Sequence, residues 1–152
     1  TGGKWTTYRR MAEDTGTQAA RLARLPERPC VTRTLNVHGY HQQADKFGAL
    51  AHYGSDAIDI SAIADSDAAL AAPLHPSLPI AGAEVIWATR HEMARTVEDV
   101  LARRTRALFL DARAAIEMAP KVARLMAGEL GRDAAWEQEQ VAAFTALAHQ
   151  YL

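Results

Sequence analysis

Residues 96–131 read TVEDVLARRTRALFLDARAAIEMAPKVARLMAGELG, and this run decides the fold. Thr96-Val97-Glu98-Asp99 has the hydroxyl-x-x-acid spacing by which a helix start satisfies its own orphan N–H groups. Beyond it, Val100, Leu101, Leu108, Ala112 and Ile116 fall at helical spacing and predict one helix with an apolar stripe. Pro120 has no N–H to offer the Ile116 carbonyl, so a kink or a fresh helix is expected there. Val122, Ala123, Met126 and Leu130 carry the apolar face onward, and Gly131 is the expected stop.

The neighbouring stretches follow the same logic. Asp133 is placed to cap a last helix whose buried face reads Trp136, Val141, Phe144, Leu147 and Tyr151. Upstream, residues 83–95 form a helix through Val85, Ile86, Trp87 and Met93. Pro73, Pro76 and Pro79 with Ser77 make a turn-rich connection that packs as a loop through Leu74, Leu78 and Ile80. Residues 42–53 read as one helix ending at Gly54. Ser55 or Asp56 then caps another that carries Ile58, Ile60 and Ile63. Residues 31–40 are β-branched and roughly alternating, which suits an extended linker or a short edge strand. Residues 6–24 form a helix started by Thr6 or Thr7 and ended by Pro26 and Pro29, with Gly16 a soft spot. The expected fold is mainly α: a helical bundle over 41–152, preceded over 1–40 by one helix and an extended linker.

Composition sets limits on partners. The chain has 152 residues, 49% of them hydrophobic, enough for a core. With 17 basic and 18 acidic side chains, no broad electrostatic grip on nucleic acid or anionic lipid is expected. Cys30 is the single cysteine, which excludes an internal disulfide and a cysteine-based zinc site. A buried or indifferent thiol in a reducing compartment is the expectation. There is neither a membrane-length apolar run nor a signal peptide, so the reading is a soluble cytoplasmic domain. The chain opens at Thr1 without an initiating methionine and looks like part of a longer protein.

Few clusters carry chemistry. Gly2-Gly3-Lys4 suggests a phosphate loop, but Trp5 stands where the magnesium-binding hydroxyl is required. Two readings remain. Gly2-Gly3 lets backbone approach a ligand closely, while Lys4 and the unpaired N–H groups of a helix start attract an anion, or a ring that becomes anionic. Alternatively the glycines make a turn and the lysine is solvated. His38 and His41 find no second cluster, and His91-Glu92 meets Arg95 where a zinc helix needs histidine, so no metal site is expected. Arg103, Arg104 and Arg106, near Glu98, Asp99 and Asp111, are either a solvated ion-paired face or a tether to another domain.

Three stretches together resemble one family. Gly2-Gly3-Lys4-Trp5-Thr6-Thr7-Tyr8-Arg9-Arg10-Met11-Ala12 is similar to the loop-to-helix junction that closes the FAD domain of flavin-dependent glycerol-3-phosphate dehydrogenases. Ala83-Glu84-Val85 through Arg90 and Glu92, with residues 96–106, resembles the centre of that family's helical C-terminal domain. Leu110-Asp111-Ala112-Arg113-Ala114-Ala115 and the stretch from Glu129 to Tyr151 extend the likeness. It implies that residues 1–40 are the end of the FAD and substrate domain and 41–152 the helical C-terminal domain. It also implies a parent enzyme that oxidises sn-glycerol 3-phosphate to dihydroxyacetone phosphate and passes electrons through FAD to a quinone (oxygen in a related branch). By this resemblance Gly2, Gly3, Trp5 and Thr6 offer backbone contacts to FAD, and Lys4 lies near the flavin or the substrate phosphate. The parent is expected as a peripheral protein on the cytoplasmic face of the inner membrane. The piece itself lacks a Gly-x-Gly-x-x-Gly turn, so no FAD binding and no turnover are expected of it alone. Its expected partner is the absent FAD domain, and exposed apolar surface leaves it open to self-association as a homo-oligomer. The alternative is a stand-alone helical protein–protein interaction module on an inherited scaffold.

Overall fold

The computed structural model describes residues 3–152, and the chain is 69% helical, a mainly α fold. It divides into two compact units, Thr1–Tyr40 and His41–Leu152.

In the first unit a single 3-10 turn, Trp5–Thr7, leads into helix α1, Tyr8–Leu22. None of the α1 residues is buried. Arg9 and Arg10 reach one turn along it to Glu13, at 3.1 and 3.3 Å. Such exposed pairs contribute a few tenths of a kcal/mol, about 0.2–0.5 each. The strand or extended linker expected over 31–40 is absent: the Val31 carbonyl accepts the N–H groups of Thr34 and Leu35, closing a turn. Val31, Leu35 and Val37 alternate as a strand would, but among the described residues no strand of this unit pairs with them, and all three are exposed.

The second unit holds the core. A 3-10 segment, Ala44–Asp56, stands where one α-helix was expected. Gly48 (φ 56°, ψ −120°) and Gly54 (φ 57°, ψ −123°) break it in a conformation that a β-carbon disfavours. Helix α2, Ala57–Ser66, follows without a side-chain cap; Ser55 instead bonds Asp56. After the one-turn α3, Ala68–Ala71, the proline-rich connection is an antiparallel hairpin rather than a loop. Its strands, β1 Pro73–His75 and β2 Leu78–Ala81, pair Pro73 with Ala81 and His75 with Leu78. Prolines are tolerated because a two-stranded sheet has only edge strands.

Helix α4, Gly82–His91, ends four residues earlier than the sequence suggests, and Met93 then takes a left-handed φ of 58°. The long helix expected beyond Thr96 is two pieces. A π-helical turn, Asp99–Arg104, closes with the Thr105 N–H on the Val100 carbonyl at 2.9 Å. Arg106 is left-handed (φ 60°), and the one-turn α5, Ala107–Leu110, follows. Asp111 is extended and caps a new helix, α6, Ala112–Leu130, by accepting the Ala114 N–H at 3.0 Å. Nor does Pro120 restart the helix: α6 runs through it. The buried residues Ala115, Met118 and Ala119 before the proline, and Val122, Ala123 and Met126 after it, share one apolar face. Burying that continuous face outweighs the roughly 3 kcal/mol a mid-helix proline costs. Gly131 (φ 63°) stops α6, and Asp133 caps α7, Ala134–Ala148, through the Trp136 N–H at 2.9 Å.

The three-residue link folds α7 back along α6. Phe144 is the buried anchor, Trp136, Val141 and Leu147 are half-buried, and Tyr151 is exposed, contrary to expectation. A smaller cluster of Ile60, Ala83 and Trp87 packs with Leu50, Tyr53, Ile63 and Leu70 against the other side of α4.

Candidate functional site

The start of α1 carries most of the residues singled out by sequence. Gly2 lies outside the described residues. Gly3, Lys4, Trp5 and Thr6 are all exposed, and Lys4 is extended as the chain enters the 3-10 turn. Neither Lys4 nor Thr7 caps the turn or helix that follows. The Thr7 hydroxyl points backwards instead, donating to the Lys4 carbonyl at 3.2 Å. Among the described residues no side-chain cap answers the helix-start N–H groups, which stand next to a lysine. The Trp5 and Tyr8 rings stack at 5.2 Å and 27°, giving the same end a flat aromatic face. Met11 lies over Gly3 and must swing aside before any larger residue fits there.

Within the same unit, a groove of about 930 Å³ runs along α1, with Tyr8, Ala12, Gly16, Leu25, Leu35 and Val37 in its wall. Cys30 also lines it and is exposed, not buried. The Thr32 hydroxyl, 3.0 Å from its Sγ, holds the thiol pKa below its ordinary value, aided by Arg9.

In the second unit the arginine cluster resolves residue by residue. The Thr96–Asp99 capping box forms: Asp99 accepts the Thr96 N–H at 3.0 Å, and the Thr96 hydroxyl accepts the Asp99 N–H at 3.1 Å. Burial pushes the Asp99 carboxyl up. The N–H groups of Arg95 and Thr96, the Thr96 hydroxyl and Arg103 outweigh it and hold the group below its ordinary value. Arg103 pairs with Asp99 at 2.9 Å and with Glu98 in solvent. Arg104 turns inward and donates to the Glu92 carbonyl beyond α4, while Arg95 reaches the Thr89 carbonyl at 3.0 Å. Sequence spacing did not reveal these two straps, because their acceptors are backbone carbonyls. Arg90 and Glu129 join α4 to α6 through two bonds of 2.6 and 2.8 Å, and Arg90 keeps the Glu129 carboxyl below its ordinary value.

Glu84 lies inside the fold at 3% exposure. It folds back over the start of α4 to accept the Ala81 N–H at 2.7 Å, and the Tyr53 hydroxyl donates to it at 3.2 Å. Burial raises its pKa despite both bonds, and burial together with Glu84 raises that of Tyr53. Trp87, one turn on, stacks on His91 at 4.1 Å, and its buried ring N–H finds no acceptor among the described residues. Among the described residues no group of three or more His, Cys, Asp or Glu is arranged to hold a metal ion.

The model of the C-terminal domain of alpha-glycerophosphate oxidase matches residues 30–140. A probable mitochondrial glycerol-3-phosphate dehydrogenase of Caenorhabditis elegans is 35% identical over 92% of this chain and 22% of its own length. A mitochondrial glycerol-3-phosphate dehydrogenase of Arabidopsis thaliana is 31% identical over 93% of this chain and 27% of its own. The human mitochondrial enzyme is 33% identical over 92% and 22%. The chain therefore spans about a quarter or less of the length of the curated relatives it matches. No solved structure matches. The expectation of a cytoplasmic protein, with its parent on the cytoplasmic face of the inner membrane, is overturned: these relatives are mitochondrial enzymes. A lone cysteine and a near-neutral charge report on redox state and electrostatics, and neither singles out the cytoplasm. Among the described residues no helix is long and apolar enough to cross a membrane.

Proposed function

Since the chain belongs to the family of the alpha-glycerophosphate oxidase C-terminal domain, we propose that it is the carboxy-terminal part of an FAD-dependent glycerol-3-phosphate dehydrogenase. The whole enzyme oxidises sn-glycerol 3-phosphate to dihydroxyacetone phosphate and delivers the electrons to a quinone. Residues 1–40 are the closing part of its flavin and substrate domain, and 41–152 its helical C-terminal domain. The observation that carries this reading is the family match over residues 30–140, joined to dehydrogenase relatives aligned over 92% of the chain.

The residues at the α1 start fit a flavin. When bound, the flavin accepts the hydride from the substrate carbinol. Gly2 and Gly3 would let the backbone approach the ring closely, and the N–H groups around Trp5 and Thr6, which have no side-chain cap at Lys4 or Thr7, would answer the negative charge that the ring gains. Lys4 adds a full positive charge there, beside the flavin or the substrate phosphate. The isolated chain lacks the glycine-rich strand-to-helix turn that grips a dinucleotide, so it binds no FAD and turns over no substrate.

Purified chain incubated with excess FAD and passed through a desalting column is expected to emerge without flavin absorbance. Stoichiometric flavin would overturn the division of labour between the two parts. In the full-length enzyme, Lys4→Met is expected to lower kcat/KM at least tenfold, about 1.4 kcal/mol of transition-state stabilisation, and an unchanged value would remove Lys4 from the site. The exposed Phe109–Tyr151 ring pair (5.6 Å) favours an additional docking role, with self-association of the isolated chain as its readout. Sedimentation over a concentration series that shows only monomer argues against it.

A further inference from the structure

Beside the start of α4, wholly within the second unit, lies a cavity of about 340 Å³. This is the size of a small-ligand site. Leu50, Ile60, Ala64, Pro79 and Ala83 make its wall apolar. Its other lining groups include Ser61, whose hydroxyl is already committed to the Ala57 carbonyl at 2.7 Å, and two carboxylates, Glu84 and Asp65. No lysine, arginine or histidine lines it.

Glu84 is the informative group. Its two oxygens meet only neutral donors, the Ala81 N–H and the Tyr53 hydroxyl, and among the described residues no cationic side chain forms an ion pair with it. A carboxylate offers about four lone-pair sites, so acceptor capacity remains. A buried charge without a counter-charge is costly, and that cost falls when a cation enters. Two groups on neighbouring elements act on it through space: His52, whose ring lies 4.1 Å from that of Tyr53, and Glu92 beyond the end of α4. Capping explains why an acid stands at the third position of α4. It explains neither the cavity against that acid nor the second carboxylate in its lining.

We propose that this cavity binds a small aliphatic ammonium ligand. The charged head pairs with Glu84, Asp65 adds a second negative charge to the lining, and the hydrocarbon lies along Leu50, Ile60 and Pro79. Anions are rejected by the two carboxylates, and a neutral alcohol of the same length gains only the apolar contact. The site lies entirely within residues 49–84, so it stands or falls independently of the activity proposed above for the whole enzyme.

The test titrates the protein with n-hexylammonium, 1-hexanol and hexanoate while recording backbone amide NMR shifts. Hexylammonium is expected to give saturable shifts confined to residues 49–50, 60–65 and 81–84, with hexanol binding about tenfold more weakly and hexanoate not at all. Glu84→Gln is expected to weaken hexylammonium by about tenfold or more. Equal affinity for amine and alcohol, or no saturable shift at these residues, overturns the proposal. If Glu84→Gln does not fold, Asp65→Asn and the cavity-filling Ala64→Leu replace it. Each is expected to weaken binding several-fold, and unchanged affinity in either overturns the assignment.

Discussion

Arg103 and Arg104 are adjacent in the chain, yet their removal is expected to cost different amounts of stability. Arg104 is 29% exposed and donates from Nε (3.1 Å) and a terminal nitrogen to the Glu92 carbonyl, tying the π turn to the end of α4. Arg104→Met keeps the hydrocarbon stem and deletes the donors. Hydrogen bonds from charged groups contribute about 1.5–3 kcal/mol, and partial exposure brings the expectation to about 2 kcal/mol. Arg103 is 50% exposed, and its partners Glu98 and Asp99 are 41% and 22% exposed. Pairs so open to water contribute about 0.5 kcal/mol, and added salt removes part of that. In urea unfolding followed by circular dichroism, a slope of about 2 kcal/mol per molar turns these values into midpoint losses of about 1 M and about 0.25 M. Raised salt should shrink the Arg103→Met effect by a larger fraction than that of Arg104→Met, where Arg104 has a 3.8 Å contact with the Glu92 carboxylate besides its bonds to the carbonyl. A midpoint loss for Arg104→Met no larger than for Arg103→Met would refute the reasoning.

Other expectations concern the core, the α6 cap and pH. Phe144→Ala, at 2% exposure, is expected to cost about 3–5 kcal/mol, measurable by the same urea unfolding. Asp111→Ala removes the α6 cap and an acceptor for the Ser77 hydroxyl (3.3 Å), and is expected to cost about 1 kcal/mol. Glu129 and Asp99 have folded pKa values below their ordinary 4.5 and 3.8. Their contribution is therefore complete above those values and is lost as pH falls through the lowered ones. Arg90→Gln should make the acid-side fall in urea midpoint shallower. Glu84 has the opposite sign: its pKa is raised from 4.5, so its ionisation weakens the fold as pH rises through the raised value. Glu84→Gln should flatten that part of the profile, and an unaltered profile would contradict the raised value.

Local chemistry made some features readable and hid others. Gly131, Asp133 and the Thr96–Asp99 box were legible because a cap needs only the residues within one turn of it. The break between Arg106 and Asp111 was not, because Leu108, Ala112 and Ile116 keep helical spacing across it. What decides there is the Asp111 side chain, which accepts a helix-start N–H and a hydroxyl from the distant hairpin. Pro120 misled for the converse reason: its local cost is certain, but the apolar face it interrupts is held by the rest of the core. At the candidate flavin-side helix start, residue types were readable from the order Gly-Gly-Lys-Trp-Thr-Thr. The backward turn of the Thr7 hydroxyl, which leaves the helix start uncapped, was not. Glu84 stood within a stretch singled out by family likeness, but its burial depends on Tyr53 and the cavity, thirty residues away in sequence.

The wide turn over Asp99–Arg104 bears on how this protein can change. Such a turn holds one residue more than an α-turn, and each helical residue rotates the chain by roughly 100°. That surplus residue sets the azimuth at which everything after it leaves the helix, sending Arg104 to a carbonyl and Arg103 to the acids in water. Point substitutions cannot shift this phase. Deleting Ala102 would straighten the winding and swing Arg104 away from Glu92, so a single-codon loss here should do more harm than most exchanges of one side chain for another.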